Sequence, residues 1–195
     1  MDNYVKYHRL EQYLLDEVNP HFREQGYLEP EDFFCIVIWK ANRAKSLIAA
    51  RLLKIGDQRL NLAQAVKALT EKIAQAQKSE ERMRVLFEGW GFHLPMASAI
   101  LTILYPEDFT VYDVRVATTL DRDGGTKFRR LSNVIAFENM WAGYEQFKEA
   151  VANSTSLDLP LRDKDRNLWG RSFYEQLQKD LKNEFRGRPT TSNSP

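Results

Sequence analysis

Residues 79–119 read SEERMRVLFEGWGFHLPMASAILTILYPEDFTVYDVRVATT. Ser79 is placed as a helix cap, Glu80 and Glu81 fall in the first turn where carboxylates meet the positive end of the helix dipole, and Met83, Leu86 and Phe87 share a face. Gly89 and Gly91 make a hairpin. Pro95 has the fixed φ that suits a first helical position, Pro106 stops the helix, and Met96, Ile100, Ile103 and Leu104 recur between them at helical spacing. The spacing predicts a helix-hairpin-helix at about 79–105. After a short acidic turn, the β-prone run Phe109-Thr110-Val111-Tyr112 leads into Asp113, placed as the N-cap of a further helix that opens Val114-Arg115-Val116.

Outward from this stretch, helical patterns dominate. Residues 3–17 read as an amphipathic helix on Leu10, Tyr13, Leu14 and Val18 that ends before Pro20. A second starts at Pro30 and runs to Trp39-Lys40, and residues 44–54 continue helically with Gly56 as a stop. Residues 62–76 form a clear helix with Ala65, Val66, Leu69 and Ile73 inward, and residues 139–152 carry an aromatic stripe of Trp141, Tyr144 and Phe147. Beyond a linker at 154–160, the last helix is capped by Asp163 and docks through Leu168, Trp169, Phe173, Leu177 and Leu181, before a disordered tail at 187–195. The expected fold is all-α, a compact helical bundle of two small lobes in one domain over 1–186.

Composition bounds the function classes. At 195 residues and 43% apolar content the chain is long enough for one good core. It has no run of about 18 apolar residues, and the opening MDNYVKYHRLEQ is charged throughout, so neither a membrane span nor a signal peptide is expected and a cytoplasmic, nucleoid-associated location is. The single Cys35 lies in an apolar run and reads as a small buried hydrophobe, which excludes an internal disulfide and an iron–sulfur cluster. No side-chain metal site is expected; the aspartates of the turn-rich loop 121–126 lack the bidentate glutamate of a calcium loop. With 28 basic against 27 acidic residues, attraction to a polyanion has to come from local patches. Two basic segments offer themselves: Lys40, Arg43, Lys45, Arg51 and Lys54, and Arg115, Arg122, Lys127, Arg129 and Arg130, each of which reads equally as a solvated face.

The residue types carry a chemistry. A Gly-x-Gly turn before a helix N-terminus leaves backbone N–H groups open to a phosphate, and Gly89, Trp90, Gly91, Phe92, His93 and Ser98 are the positions that such a contact would use, with Arg115 beyond. Trp39, Trp90, Phe92 and Tyr112 offer stacking surface, with core packing as the alternative reading. Lys40 beside Trp39 reads as a pocket-lining residue, a phosphate contact, an amine nucleophile or a snorkelling surface lysine. His93 can contact phosphate or position a leaving base, or be a plain loop residue.

Gly-x-Gly, a small-residue helix, and Asp113 standing 24 positions after the first glycine resemble the helix-hairpin-helix superfamily of base-excision DNA glycosylases. The resemblance covers about 40 residues closely. It implies that the hairpin grips duplex DNA, that an everted damaged or modified base is excised, and that Asp113 serves the chemistry, with Trp39, Lys40, His93 and Tyr112 as pocket or auxiliary residues. It also implies a monovalent cation on the hairpin carbonyls, and no other cofactor. Bifunctional members carry a lysine four residues after the first glycine, where this chain has His93, so a monofunctional monomer is expected. Excision through an N-glycosidic bond puts positive charge on the sugar, which a fixed carboxylate stabilises. Two other classes fit the same pattern: a non-catalytic DNA-binding module that senses lesions, and a helical protein–protein adaptor.

Overall fold

The computed structural model of the protein describes residues 4–55, 60–121 and 125–185, and every regular element among them is helical. The stop expected at Gly56, the basic position 122 with part of the turn-rich loop, and the tail lie outside the described residues.

The N-terminal helix is broken into α1 (Val5–His8), α2 (Leu10–Tyr13), a π turn (Leu14–Val18) and α3 (Asn19–Gln25). Pro20 does not end it, contrary to the expected stop: helical backbone runs through it where the π turn meets α3, and the chain stops at Gly26, whose φ of 77° is left-handed. Then α4 (Pro30–Ala41) starts on its proline with Glu31 and Asp32 in the first turn. A 3-10 turn (Asn42–Ala44) leads to α5 (Lys45–Ile55), and α6 (Leu62–Gln75) opens on a capping box between Asn61 and Gln64. Its inward set is the expected one, with Ala65, Val66, Leu69 and Ile73 fully buried.

The helix-hairpin-helix follows as α7 (Ser79–Arg84), a π turn (Val85–Gly89), the hairpin, and α8 (Leu94–Leu104). Ser79 is the first helical residue and Lys78 the cap; the Glu81 carboxylate accepts the N–H groups of Gln77 and Lys78 and does the capping that Ser79 was expected to do. Every residue of α8 except Pro95 is buried, so this short helix is the axis of the bundle. Burying its large aliphatic side chains stabilises the fold by about 1.5–3 kcal/mol each. The Asn19 amide donates to the carbonyls of Ile103 and Leu104, closing the C-terminal end of α8 from α3.

Residues 109–112 are β-prone in composition but take no regular secondary structure, and among the described residues there is no strand to pair with them. Side chains take the place of a ladder: the Thr110 N–H donates to the Tyr144 hydroxyl, which donates back to the Thr110 carbonyl, and the Tyr112 N–H donates to Ser98 Oγ. This pinned segment delivers Asp113 to the start of α9 (Val114–Leu120). A 3-10 turn (Leu131–Asn133), α10 (Phe137–Ala152) and α11 (Leu161–Lys182) complete the chain, and the buried apolar side chains form one continuous core.

Three expectations are corrected here. In α11 the apolar stripe does not dock: Leu168 is buried, but Trp169, Phe173 and Leu181 are 44%, 49% and 51% exposed. The inward turn of α11 is spent on charged side chains facing a cavity, and its cap is Pro160 rather than Asp163. Cys35 is only half-buried, packed against the rim of the core.

Candidate functional site

Three helices and the segment before α9 converge on a cavity of about 490 Å³ lined by Glu11, Trp39, Lys40, Val111, Asp113, Arg162, Asp165, Arg166 and Trp169. Such a volume falls within the usual range of small-molecule sites, about 300–1,000 Å³. α4 brings Trp39 and Lys40 in its last turn, the pinned segment brings Val111 and ends on Asp113, α2 brings Glu11, and the first three turns of α11 bring the rest.

Asp113 is fixed at both oxygens. Oδ1 accepts the Arg115 N–H at 2.8 Å, the N-cap bond expected from its place in the sequence, and Oδ2 accepts from Lys40 Nζ at 3.2 Å. Lys40 Nζ also donates to the Tyr112 carbonyl at 3.2 Å. The lysine is therefore aimed at the aspartate, and of the readings open to it the pocket-lining one describes its position.

Across the cavity, Arg162 organises two more carboxylates. Its Nε donates to Glu11 Oε1 at 2.8 Å and its Nη1 to Asp165 Oδ2, while its guanidinium lies 5.2 Å from the Trp39 ring centroid. Arg166 reaches Glu11 from the next turn at 3.1 Å. Asp165 is only 2% exposed, and this burial pushes its carboxyl up to about 6 against the pull of Arg162 and Lys40. Among the described residues, no three His, Cys, Asp or Glu side chains are grouped as a metal site.

Trp169 continues outward from the cavity wall. Its ring stacks on Phe173 at 5.8 Å with an interplanar angle of 4°, and the Arg115 guanidinium lies 5.8 Å from the Trp169 centroid. An exposed aromatic pair with a cation beside it thus borders the opening.

The hairpin stands apart from this cavity. Gly91 takes the left-handed φ of 65°, and its carbonyl accepts from Arg51, so a guanidinium already sits on the hairpin backbone. Gly89 and Trp90 line a separate depression with Ile55, Leu60, Lys72 and Val85. His93 is the exposed N-cap of α8, and its side chain makes no capping bond.

Four of the expected contact residues are core instead. Trp90, Phe92, Ser98 and Tyr112 are between 0% and 4% exposed. Trp90 and Phe92 fill the interior below the hairpin because the turn places both aromatic rings inward, leaving the glycines as its surface. Ser98 holds the Tyr112 backbone, and the Tyr112 hydroxyl donates to the Phe128 carbonyl at 2.6 Å. Their work is to position Asp113.

The structure places Asp113, Trp39 and Lys40 on one cavity, away from the hairpin, together with Glu11, Arg162, Asp165, Arg166 and the cavity side of Trp169, which the sequence alone did not single out as site residues. A signal for the α11 set was present: positions 162, 165, 166 and 169 share one helical face, and it is the face that carries charge beside the single buried leucine, Leu168. Comparison with protein-family models, with curated proteins and with solved structures gives no match.

Proposed function

We propose that this chain is a DNA glycosylase that accepts an everted damaged or modified nucleobase and hydrolyses its N-glycosidic bond, with Asp113 as the essential carboxylate. The observation that carries the reading is the meeting of Asp113 and Lys40 in a cavity flanked by Trp39 and Trp169. Flipping a base out of a duplex costs a few kcal/mol, which aromatic walls recover by stacking. Bond breaking leaves positive charge at the sugar, and a carboxylate already oriented by a backbone N–H and a lysine meets it without reorganisation. A glycine hairpin exposed on the same chain fits a phosphate backbone. A duplex, bound by a monomer, is the partner of this reading.

Purified protein is incubated with duplexes bearing a panel of damaged and modified bases, and base release is followed as alkali-labile abasic sites. Release by the wild type and its loss in Asp113→Asn support the reading; a folded protein that releases none of the panel, or undiminished release by Asp113→Asn, refutes it.

One observation favours a second reading. Lys40 offsets the charge of Asp113, which suits a lesion-binding module without chemistry. That module binds DNA with log K falling by about 0.9 per neutralised phosphate per log unit of salt and leaves no abasic product.

A further inference from the structure

Two cavity carboxyls, Glu11 and Asp165, have no task in the proposed reaction, and Asp165 is the enclosed one: it is 2% exposed, whereas the Glu11 side chain is 30% exposed. Asp165 is carried by α11 and faces charged or titratable groups from each neighbouring element: Arg162 on its own helix, Lys40 at the end of α4, Asp113 at the start of α9, Tyr144 on α10, and Glu11 on α2 through the shared Arg162. We infer that Asp165 is the general acid that hands a proton to the departing base, and that the site therefore acts on neutral bases whose departure needs that proton. This rests on the glycosylase reading above and names its substrate class.

The geometry divides the labour between two carboxyls in one cavity. Asp113 is partly exposed, with one oxygen accepting a backbone N–H and the other an ammonium. Asp165 is enclosed, and burial raises its proton affinity. Hydrolysis of glycosidic bonds by paired carboxyls uses the same split, one residue kept protonated for the leaving group and one kept charged for the sugar.

The step balances as follows. The bond between the sugar C1′ and the base nitrogen breaks with its electron pair going to the base, and the Asp165 proton moves onto the base, which leaves neutral. The cationic sugar faces the Asp113 carboxylate. Water adds its oxygen to C1′ and loses a proton to Asp113, which passes it to solvent, and Asp165 takes a proton back from solvent. A base that is already cationic, such as 7-methylguanine, leaves without the Asp165 proton.

The full chain and Asp165→Asn are compared in single-turnover release from duplexes carrying uracil, hypoxanthine, 8-oxoguanine or 7-methylguanine, from pH 5 to 8. Asparagine keeps the volume and an acceptor for Arg162 but has no proton to give. The expected result is a loss of about 100-fold or more in release of whichever neutral base the wild type takes, with release of 7-methylguanine changed by less than about threefold. Wild-type release of the neutral base falls as pH rises above about 6, and the variant shows no such limb. Equal losses on neutral and cationic bases, or none on either, overturn the inference. A wild type that releases only 7-methylguanine also overturns it while leaving the glycosylase reading standing; one that releases nothing overturns both.

Discussion

Lys40 Nζ lies 3.2 Å from Asp113 Oδ2, joining the last turn of one helix to the N-cap of another across 73 positions of sequence. The lysine side chain is 13% exposed and the aspartate 31%, so the pair is neither a solvated surface bridge nor a sealed one. A half-buried pair of this kind is costly to break from one side, because the remaining partner keeps its desolvation cost.

Asp113 serves the fold as well as the chemistry, and two substitutions separate these roles. Asp113→Asn retains an oxygen for the Arg115 N–H but leaves the Lys40 ammonium without its carboxylate, so it is expected to cost some stability, less than Asp113→Ala, while lowering base release by about 100- to 1,000-fold. Asp113→Ala loses the cap too and is expected to be less stable by about 1 kcal/mol or more. Urea denaturation of both variants checks the first difference and single-turnover release the second; equal destabilisation would mean that the cap bond contributes nothing.

With its ammonium donating to both Tyr112 and Asp113, Lys40 is held away from acting as an amine nucleophile. Borohydride added during turnover is therefore expected to trap no protein–DNA adduct. A trapped adduct that disappears in Lys40→Gln would identify this lysine as an imine-forming group and overturn the monofunctional reading.

The two hairpin glycines should respond differently to alanine. Gly91 has a left-handed φ of 65°, and an added Cβ would stand 3.4 Å from Ile55 Cδ1, so Gly91→Ala is expected to cost about 1–2 kcal/mol. At Gly89 an added Cβ meets nothing within 4 Å, and the substitution should be close to neutral. Thermal unfolding of the two variants tests this; equal losses would show that the Gly91 conformation carries no special strain.

Asp165 also sets a pH dependence of folding. Its carboxyl titrates at about 6 in the folded protein against an ordinary 3.8, so the folded state holds the proton more tightly, and the associated stability is present at acid pH and lost between about pH 4 and 6. Asp165→Asn should therefore match the wild type near pH 4 and exceed it at pH 8 by up to roughly 3 kcal/mol. A stability difference that is the same at both pH values would show that burial imposes no cost on this carboxylate.

The exposed Trp169–Phe173 stack gives a last test. If a strand passes the cavity opening, Trp169→Ala weakens DNA binding by roughly 1–3 kcal/mol, the usual worth of one stacked base. Because Trp169 is 44% exposed, the change should leave thermal stability nearly unmoved. Fluorescence anisotropy with a labelled duplex measures the first quantity, and unchanged affinity would remove this face from the DNA path.

What the sequence determined by itself was local. The helix limits at Pro30 and Pro95, the inward face of residues 62–75 and the N-cap at Asp113 follow from fixed φ, 3.6-residue periodicity and a short acceptor side chain, none of which needs a distant partner. Proline was misleading only at Pro20, which the helical backbone passes through where a π turn meets an α-helix. Tertiary structure decided which aromatic residues are walls and which are filling: Trp39 borders the cavity while Trp90, Phe92 and Tyr112 are interior, although all four read alike as large side chains near polar neighbours. It also decided that the inward face of the last helix is charged. Asp165 is enclosed beside Arg162, which is itself anchored by Glu11 more than 150 positions away, and a partner so remote leaves no mark in the periodicity of either segment.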